Sequence, residues 1–318
     1  MSTKAILCIS PTTNVESTWV IPGLHLGGVF RCEQVTHIAS GKGINVCRAI
    51  GRIKGQALGM GFVAGQIGRF FAELAKQEGL RGVWIWVEGE SRQALVLNDP
   101  QANGDATLLS GPGPRVDEED WARLEAEALR QAEQSDYVCL SGSLPPGSPL
   151  DSFTHLISRL MQGGKQVWVD ASDTVLEAAL GANPTGVKVN AREAEALTWI
   201  AVNDVSSGRI ALEHLLDRGA ANVVITLGSD GALLGSADGC WYATAPKIPR
   251  FVSSVGSGDA FSAGLLVGLS RKLSIPECLR MASAAGGANV LKLGGGQFEF
   301  DDYNALIPTV EVSLLYGP

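Results

Sequence analysis

The sequence predicts an α/β protein in which helices cover both faces of a mostly parallel sheet. Two features lead to this fold class. From residue 136 onward, short apolar runs typical of buried strands alternate with stretches of helical periodicity, and this order implies crossover connections between parallel strands. Small or polar residues follow successive predicted strands, at the edge where such sheets bind ligands. We therefore expect one functional site at the carboxyl ends of the strands.

Composition limits the classes of function open to the chain. Its 318 residues carry a formal net charge of -8, without the clusters of lysine and arginine that bind nucleic acid or a membrane surface. The six cysteines include no Cys-x-x-Cys pair, and the four histidines show no metal-ligand spacing. No signal sequence is evident, and no apolar run approaches the roughly 18 to 20 residues that span a bilayer. We expect a cytoplasmic protein with reduced thiols and without nucleic-acid or membrane partners.

The first predicted strand covers residues 5–10 and stops at Pro11, with a polar turn at residues 12–14. Polar side chains just past a strand end are where ligands collect, which makes Asn14 a candidate site residue. Residues 15–37 then mix apolar side chains with glycines and a proline. This pattern favours strands of a small sheet over a helix, and we interpret it as the first part of a lid.

A second part of the lid is predicted later in the chain. Residues 83–87 and 93–98 have the pattern of two strands joined by a hairpin turn. Arg92 would project from that hairpin, and its planar guanidinium suits a phosphate, although a lone surface arginine is usually only a solvated charge. We expect residues 12–37 and 83–110 to form one discontinuous β-sheet lid within a single domain, 1–318.

The other predicted elements follow in chain order, and the end of the chain after residues 294–296 is interpreted as a peripheral tail. Helices are expected from apolar periodicity and glycine stops, and strands from short apolar runs. They are strand 58–63, helix 66–79, helix 118–134, strand 137–140, helix 150–163, strand 166–170, helix 175–179, strand 186–189, helix 193–198, strand 222–227 and helix 275–289.

Residues 40–46, Ser-Gly-Lys-Gly-Ile-Asn-Val, form a glycine-rich stretch that runs into a helix. Lys42 and Asn45 could reach the hydroxyls or the phosphate of a substrate from this helix end, with the glycines allowing close approach to the backbone. The stretch is neither a Walker loop nor a dinucleotide fingerprint. An ordinary helix start is the alternative interpretation.

Residues 254–261, Ser-Val-Gly-Ser-Gly-Asp-Ala-Phe, form a second glycine-rich helix start. The first N–H groups of a helix lack intrahelical partners, and the flexibility of Gly256 and Gly258 lets several of them converge on a phosphoryl group. Asp259 would then stand beside the phosphate, placed to accept a proton from an attacking alcohol. The alternative is a plain loop in which Asp259 only caps the helix.

These two stretches carry a family resemblance. The chain resembles the ribokinase-like sugar kinases of the phosphofructokinase-B family over essentially its whole length, because residues 40–46 look like Gly-Gly-Lys-Gly-x-Asn-Val and residues 255–261 like Gly-Ala/Ser-Gly-Asp-x-Phe. Further likeness lies in residues 90–92, 111–114, 140–147 and 188–193. This set is similar to the branch of 1-phosphofructokinases, tagatose-6-phosphate kinases and minor 6-phosphofructokinases. The resemblance implies a three-layer αβα fold with a small β-sheet lid, and often a homodimer formed through the lids.

The resemblance also implies a role for each matching residue in transfer of a phosphoryl group from ATP, with Mg²⁺, to a phosphorylated ketohexose. Asp259 would be the base, and the N–H groups of Gly256, Ser257 and Gly258 the anion hole. The implied substrate-binding residues are Asn14, Gly41, Lys42, Asn45, Arg92 and Ser141. The implied ATP-binding residues are Lys188, Thr226, Gly228, Gly258 and Asn289. Asn190 and Glu193 would act on Mg²⁺ through water.

Two departures from the family pattern bear on the sugar. Asn14 stands where these kinases commonly have an aspartate, which removes a charge-assisted hydrogen bond, and Ser40 replaces the first glycine of the first signature. A sugar-phosphate sensor without catalysis and a kinase of an unphosphorylated sugar therefore remain as alternatives. A nicotinamide dehydrogenase is disfavoured, because no acidic residue follows a Gly-x-Gly-x-x-Gly at the expected distance.

Overall fold

The strands in the described part of the chain form two sheets. The computed structural model describes residues 4–32, 34–101, 106–171 and 173–317. Within these ranges the strands are β1 Ile6–Thr12, β2 Asn14–Val20, β3 Gln34–Ser40, β4 Ala57–Ala64, β5 Gly82–Val87, β6 Arg92–Asn98, β7 Ala106–Ser110, β8 Tyr137–Ser141, β9 Gln166–Asp170, β10 Gly186–Asn190, β11 Asn222–Thr226, β12 Ala232–Ser236, β13 Gly239–Ala243 and β14 Val312–Tyr316.

Helices connect most of these strands. In the same ranges they are α1 Lys42–Arg52, α2 Gly65–Gln77, α3 Glu118–Ala132, α4 Ser152–Gln162, α5 Asp173–Leu180, α6 Ala191–Thr198, α7 Val205–Asp217, α8 Ser257–Ser270, α9 Ile275–Asn289 and α10 Phe300–Leu306. Among the described residues, no helix combines the length and the apolar character needed to cross a bilayer.

The main sheet has ten strands in the order β14-β13-β12-β11-β10-β9-β8-β1-β4-β5. The seven from β11 to β5 are mutually parallel, and β12, β13 and β14 continue the sheet in antiparallel fashion. Since parallel strands end at one edge, the carboxyl ends of β1, β8, β9, β10 and β11 meet there. The predicted mostly parallel sheet is confirmed.

Two helical layers cover the main sheet, because each central strand is apolar on both faces. In β1, Leu7 and Ile9 pack in a core with α3, α4 and α7, whereas Ile6 and Cys8 pack in the opposite core with α1, α8 and α9. All four side chains are at most 2% exposed. This three-layer arrangement confirms the predicted fold class, and it brings α1 and α8 together on one face, with their N-termini beside the strand ends.

The small sheet is the lid, with strand order β3-β2-β6-β7. β2 pairs antiparallel with β3 and parallel with β6, so that Asn14 lies opposite both Ser40 and Arg92. The lid is rooted closely in the main body. Thr13 alone separates β1 from β2, and Gly41 alone separates β3 from α1. These roots place the first residues of the lid at the carboxyl edge of the main sheet.

The hairpin predicted from residues 83–87 and 93–98 is wrong. β5 lies at the edge of the main sheet, parallel to β4, and only β6 belongs to the lid. β5 takes this place because its alternate side chains, Val83, Ile85 and Val87, pack against the core on the α3 side. The second part of the lid therefore lacks 83–87, and the first part extends to Ser40. Of the residues assigned to the lid, 33 and 102–105 lie outside the described residues.

Two further sequence interpretations need correction. β1 does not stop at Pro11 but continues to Thr12, with a break in its pairing with β4 between Ile9 and Thr12. The supposed peripheral tail contains β14, which pairs with β13 at the edge of the main sheet. An edge strand has one solvated side and little apolar alternation, so its sequence carries a weak strand signal.

Candidate active site

Asp259 lies in the first turn of α8, and its side chain is buried, with only 7% of the residue exposed. The helix begins after Gly256, whose φ of 80° belongs to the left-handed region. A Cβ at this position would lie 2.3 Å from the Cα of Gly295. Glycine is thus required by both the backbone angle and the close approach. In this turn Ser257 N–H donates to the carbonyl of Ser254 at 3.1 Å, whereas the N–H groups of Gly256 and Gly258 have no acceptor among the described residues.

Burial and a neighbouring carboxylate hold the pKa of Asp259 well above its ordinary value. Burial raises the pKa most, and the nearby carboxylate of Asp170 raises it further, to about 7, against the opposing effects of Lys42, Asn45 and Lys188. At neutral pH the carboxyl group is therefore close to its titration midpoint. Such a group can take up a proton without being permanently protonated, which is the property required of a general base.

Asp170, at the end of β9, organises two lysines next to Asp259. Its Oδ2 lies 2.7 Å from Lys188 Nζ, and its Oδ1 lies 3.1 Å from Lys42 Nζ. Ser262 Oγ donates to Oδ2 at 3.2 Å. Burial alone would raise the pKa of Asp170, but the two ammonium groups outweigh it and lower the pKa to about 2. Asp170 is consequently ionised at every physiological pH and holds two cations in the site.

Asn45, on the fourth residue of α1, touches Asp259 directly. Asn45 Nδ2 donates to Asp259 Oδ2 at 2.8 Å, and Asn45 Oδ1 accepts from Arg48 at 2.9 Å. Arg48 is itself fixed by an ion pair with Glu78, at 2.5 Å, and by a 2.8 Å bond to the carbonyl of Gly295. Because the acceptor side of the Asn45 amide faces a guanidinium, its NH₂ group is directed to Asp259. The N-termini of α1 and α8, the two glycine-rich helix starts singled out in the sequence, are therefore in direct contact through Asn45 and Asp259.

Lys42, Asn190 and Glu193 lie on the same side of the site. Asn190 and Glu193 form a capping box at the start of α6, in which each side chain accepts from the other's backbone N–H at 2.9 Å. The second oxygen of Glu193 lies 3.6 Å from Lys42 Nζ. The carboxylate of Asp170 is the main cause of the raised pKa of Lys42. Lys42 is thus charged and lies between two carboxylates.

The predicted sugar-binding residues of the lid root come together around β2. Asn14 is 6% exposed and lies beside Arg92 in the register of the lid. Gly41 has a φ of 131°, and a Cβ there would lie 2.8 Å from Ser10 Oγ, so the backbone passes close to β1. Ser141, in contrast, is fully buried, and its hydroxyl lies 3.1 Å from Cys139 Sγ. The structure therefore places Ser141 beneath the site.

A cavity of about 340 Å³ opens beside the N-terminus of α8, and several predicted ATP-binding residues line it. They are Thr226, Gly228 and Gly258. Lys188 Nζ lies next to Gly258, where an added Cβ would be 2.9 Å away. Asn289 is fully buried and does not line the cavity: it donates to the carbonyl of Val255 and accepts from Gly296 N–H. A contact between Asn289 and ATP stays a prediction.

The sequence interpretation missed three residues that organise this site. Asp170 is only the last residue of the strand predicted over 166–170, and Arg48 was not singled out. Glu16, which lies 3.1 Å from the Ser40 hydroxyl beside Asn45, was not considered. Arg48 follows Asn45 by three residues on α1, so helical spacing could have linked the two. Nothing in the sequence alone indicates that Asp170 binds lysines from two separate elements.

The family profile described as pfkB family carbohydrate kinase matches residues 14–300. The chain belongs to this family. The resemblance seen in residues 40–46 and 255–261 is thereby confirmed, and as a carbohydrate kinase the protein is a phosphotransferase with an alcohol group as acceptor.

Curated and solved members of the pfkB family resemble the chain along nearly its full length. It is 30% identical over 290 residues to the 1-phosphofructokinase of Bacillus subtilis (strain 168), covering 91% of this chain and 93% of that protein. It is 26% identical over 310 residues to a tagatose-6-phosphate kinase of Staphylococcus epidermidis, covering 96% and 99%. The crystal structure of phosphofructokinase-2 from Escherichia coli with potassium superposes with a TM-score of 0.88 at 29% identity, covering 96% and 98%.

Proposed function

We propose that the protein is an ATP-dependent kinase of a phosphorylated ketohexose: fructose 1-phosphate, tagatose 6-phosphate or fructose 6-phosphate. The observation that carries this proposal is the surroundings of Asp259. Its carboxylate lies at a helix N-terminus suited to anions, beside two lysines, and has a pKa of about 7. The names of the relatives at 30% and 26% identity favour a phosphosugar acceptor over a free sugar.

In the proposed mechanism the acceptor hydroxyl lies next to Asp259 and attacks the γ-phosphorus in line. Asp259 takes the hydroxyl proton while the new O–P bond forms and the bond to the leaving ADP oxygen breaks. The N–H groups of Gly256 and Gly258 donate to the moving phosphoryl oxygens, and Ser257 N–H joins them by giving up its 3.1 Å bond to the Ser254 carbonyl. Lys188 and Lys42, both held by Asp170, add positive charge that stabilises the developing negative charge.

ATP would occupy the cavity lined by Thr226, Gly228 and Gly258. Its volume of about 340 Å³ and its largely apolar lining, which includes Phe251 and Val290, suit a nucleoside. The cavity opens at the turn formed by residues 256–258. The phosphates of an ATP molecule whose nucleoside fills the cavity would therefore extend toward Asp259. Lys188 and Thr226 remain proposed ATP contacts, whereas Asn289 would act from beneath the cavity, through its bonds to Val255 and Gly296.

Mg²⁺ bound with ATP would supply positive charge to the phosphate oxygens. Among the described residues no group of three or more metal-ligating side chains could enclose a metal ion. Mg²⁺ usually keeps several waters and uses one or two carboxylates together with substrate phosphates. The residues present fit that mode, because Glu193 offers a carboxylate oxygen at the site edge and Asn190 lies beside it. We propose that both act on Mg²⁺ through water.

A phosphosugar screen tests the proposed function. Purified protein, ATP and Mg²⁺ are combined with fructose 1-phosphate, fructose 6-phosphate, tagatose 6-phosphate, ribose and fructose, and ADP formation is measured in a coupled assay. We expect kcat/KM to be highest for one of the three phosphosugars. A higher value for ribose or fructose contradicts the proposed acceptor class. Calorimetric binding of a phosphosugar without any turnover contradicts catalysis and indicates a sensor.

Arg92→Ala is expected to raise KM for the phosphosugar about 10-fold or more while leaving KM for ATP within about two-fold. The reason is that Arg92 lies at the lid root next to Asn14, and a charged hydrogen bond to phosphate would be lost. Steady-state kinetics with each substrate varied in turn provides the measurement. Arg130→Ala, which removes an exposed arginine of α3, serves as control. Equal changes in both KM values would contradict a role for Arg92 in acceptor binding.

We also propose a homodimer formed through the lids. The lid strands expose large apolar side chains, an unusual surface for a monomer, namely Trp19 (37%), Val35 (42%), Leu108 (56%) and Leu109 (53%). Sedimentation equilibrium at micromolar concentration is expected to give twice the mass of one chain, and Trp19→Lys with Leu109→Lys to give the single-chain mass. A wild-type protein that sediments as a monomer, or a dimer indifferent to these two changes, contradicts the proposal.

A further inference from the structure

One face of the lid carries an unusual concentration of unsatisfied polar atoms. Six buried side-chain polar atoms lack a hydrogen-bond partner among the described residues, and four of them belong to lid residues: Asn14 Oδ1, Glu16 Oε1, Arg92 Nε and Asn98 Nδ2. The lid register places all four on the same face, since Asn14 lies opposite Arg92 and Val20 opposite Asn98. Buried polar groups are rarely left without partners in native proteins, so this face is suited to a polar ligand.

This face of β2 looks toward the catalytic edge of the main sheet. Glu16 lies two residues after Asn14, and across the lid it is opposite Ile38. Ile38 Cδ1 lies 3.4 Å from the position of an added Cβ on Gly294, in the glycine-rich loop after α9. Ser40, on the same face, has its hydroxyl oxygen within hydrogen-bond distance of both Glu16 and Asn45. Asn45, which donates to Asp259, is therefore separated from Glu16 only by the side chain of Ser40.

The two oxygens of Glu16 have different surroundings. Ser40 Oγ lies 3.1 Å from Glu16 Oε2 and 3.2 Å from Asn45 Oδ1, and a hydroxyl has one proton to donate. A carboxylate is a stronger acceptor than an amide oxygen, and Asn45 Oδ1 also accepts from Arg48, so we assign the Ser40 proton to Glu16. The other oxygen, Glu16 Oε1, has no donor among the described residues.

A purely structural role does not account for this carboxylate. Glu16 is 5% exposed and forms no ion pair among the described residues, since the nearby Arg48 pairs with Glu78 instead. Burial raises the pKa of Glu16, with Ser40 and Arg48 opposing that effect. A buried acid with one satisfied oxygen and no cation destabilises the folded chain, as residues that bind substrate commonly do.

We propose that Glu16 is an acceptor-binding residue of the kinase, in which Oε1 receives a hydrogen bond from a secondary hydroxyl of the sugar phosphate. It acts next to Asn14 on the same lid face and selects the sugar by the placement of that hydroxyl. Ser40, which holds the other oxygen, fixes the orientation of the carboxylate. This inference rests on the proposed function, because it takes the acceptor to be a hydroxyl-bearing phosphosugar.

The test compares wild type, Glu16→Gln and a matched control on the best phosphosugar and on analogues that each lack one secondary hydroxyl. Glu16→Gln keeps the shape of the side chain but removes the charge, and we expect KM for the parent sugar to rise about 10-fold. KM for ATP should stay within about two-fold. Ser17→Ala, on the opposite face of the same strand, should change neither value.

The decisive measurement is whether the effects of Glu16→Gln and of removing one sugar hydroxyl add up. With one deoxy analogue, wild type and Glu16→Gln should have the same kcat/KM within about two-fold, because the hydroxyl that Glu16 binds is already missing. An unchanged KM, or an equal loss with the parent sugar and every analogue, overturns the proposal. Glu16→Asp supplies the same comparison if Glu16→Gln does not fold, as judged by thermal unfolding. Absence of wild-type turnover with every phosphosugar overturns the proposed function itself, a result distinct from turnover that is indifferent to Glu16.

Discussion

Asp259→Asn is expected to fold and to lose about 10²- to 10⁴-fold in kcat. The amide keeps the shape of the side chain and can still bond Asn45, but it cannot take a proton from the acceptor hydroxyl. KM values should change much less, because the anion-binding N–H groups and both lysines remain. Coupled measurement of ADP formation, with saturating ATP and phosphosugar, gives kcat for both proteins.

Asp259→Asn is also expected to increase the stability of the folded protein at alkaline pH, whereas a general loss of structure would decrease it. Folding raises the pKa of Asp259, so the contribution of its carboxyl group to stability is fully present below the unfolded value of about 4 and is lost as pH rises through about 7. Asp259→Asn should therefore be more stable than wild type at pH 8 and indistinguishable from it near pH 4, with an effect of the order of 1 kcal/mol per unit of pKa shift.

The control for Asp259→Asn is Asp238→Asn, which makes the same chemical change in an exposed turn between β12 and β13. Both activity and stability should stay at wild-type values in this control. Near-normal turnover by Asp259→Asn would rule out Asp259 as the base. A melting temperature that falls at pH 8 would contradict the charge environment described for Asp259.

Asp170→Asn is expected to destabilise the fold by about 3–5 kcal/mol at pH 8, because it leaves the ammonium groups of Lys188 and Lys42 without their shared partner. Folding lowers the pKa of Asp170, so its contribution to stability is present above the unfolded value of about 4 and is lost as pH falls through about 2. The difference between wild type and variant should therefore be largest above pH 4 and shrink in acid. Chemical denaturation at pH 8 and at pH 3 measures this difference.

The same change should also move the pH dependence of activity. Asp170 raises the pKa of Asp259 by like-charge repulsion, so its removal lowers that pKa. The acid limb of kcat/KM, expected near pH 7 in wild type, should shift to lower pH in Asp170→Asn. An acid limb at the same pH in both proteins would contradict the coupling of the two carboxylates. Equal stability of both proteins at pH 8 would contradict the role of Asp170 as the partner of two lysines.

Local sequence signals predicted the parts of the fold that depend on local chemistry. The helix over residues 275–289 was predicted from apolar periodicity with its observed bounds, and in the structure Glu277 accepts from the backbone N–H of Ser274 at its start. The starts of α1 and α8 were found from glycines that the backbone requires. The hairpin at residues 83–98 was wrong because a strand of the main sheet and a strand of the lid have the same alternation, and only packing decides between them.

The sequence predicted the individual segments of the candidate site, but not the contacts between residues that are far apart in the chain. Residues 40–46 and 255–261 each indicated a helix end that binds anions, yet the bond from Asn45 to Asp259 joins residues 214 positions apart. Asp170 could be recognised as a polar strand end, whereas its two lysines come from α1 and β10. The role of Glu16 could not be predicted, because the sequence does not show whether an acidic residue on a strand is buried or exposed to solvent.

The one-residue roots of the lid have a mechanical consequence. All four lid strands join the main body at the same end of the lid, through Thr13, Gly41 and residues 88–91 and 111–117. A rigid-body opening of the lid would therefore turn about an axis close to Thr13 and Gly41. Points near such an axis travel along short arcs, and points far from it along long ones. Asn14 and Ser40 sit beside the axis, whereas Trp19 lies near the far end of β2. The far end of the lid can therefore move away from the main body while Asn14 and Ser40 stay close to their positions beside the site.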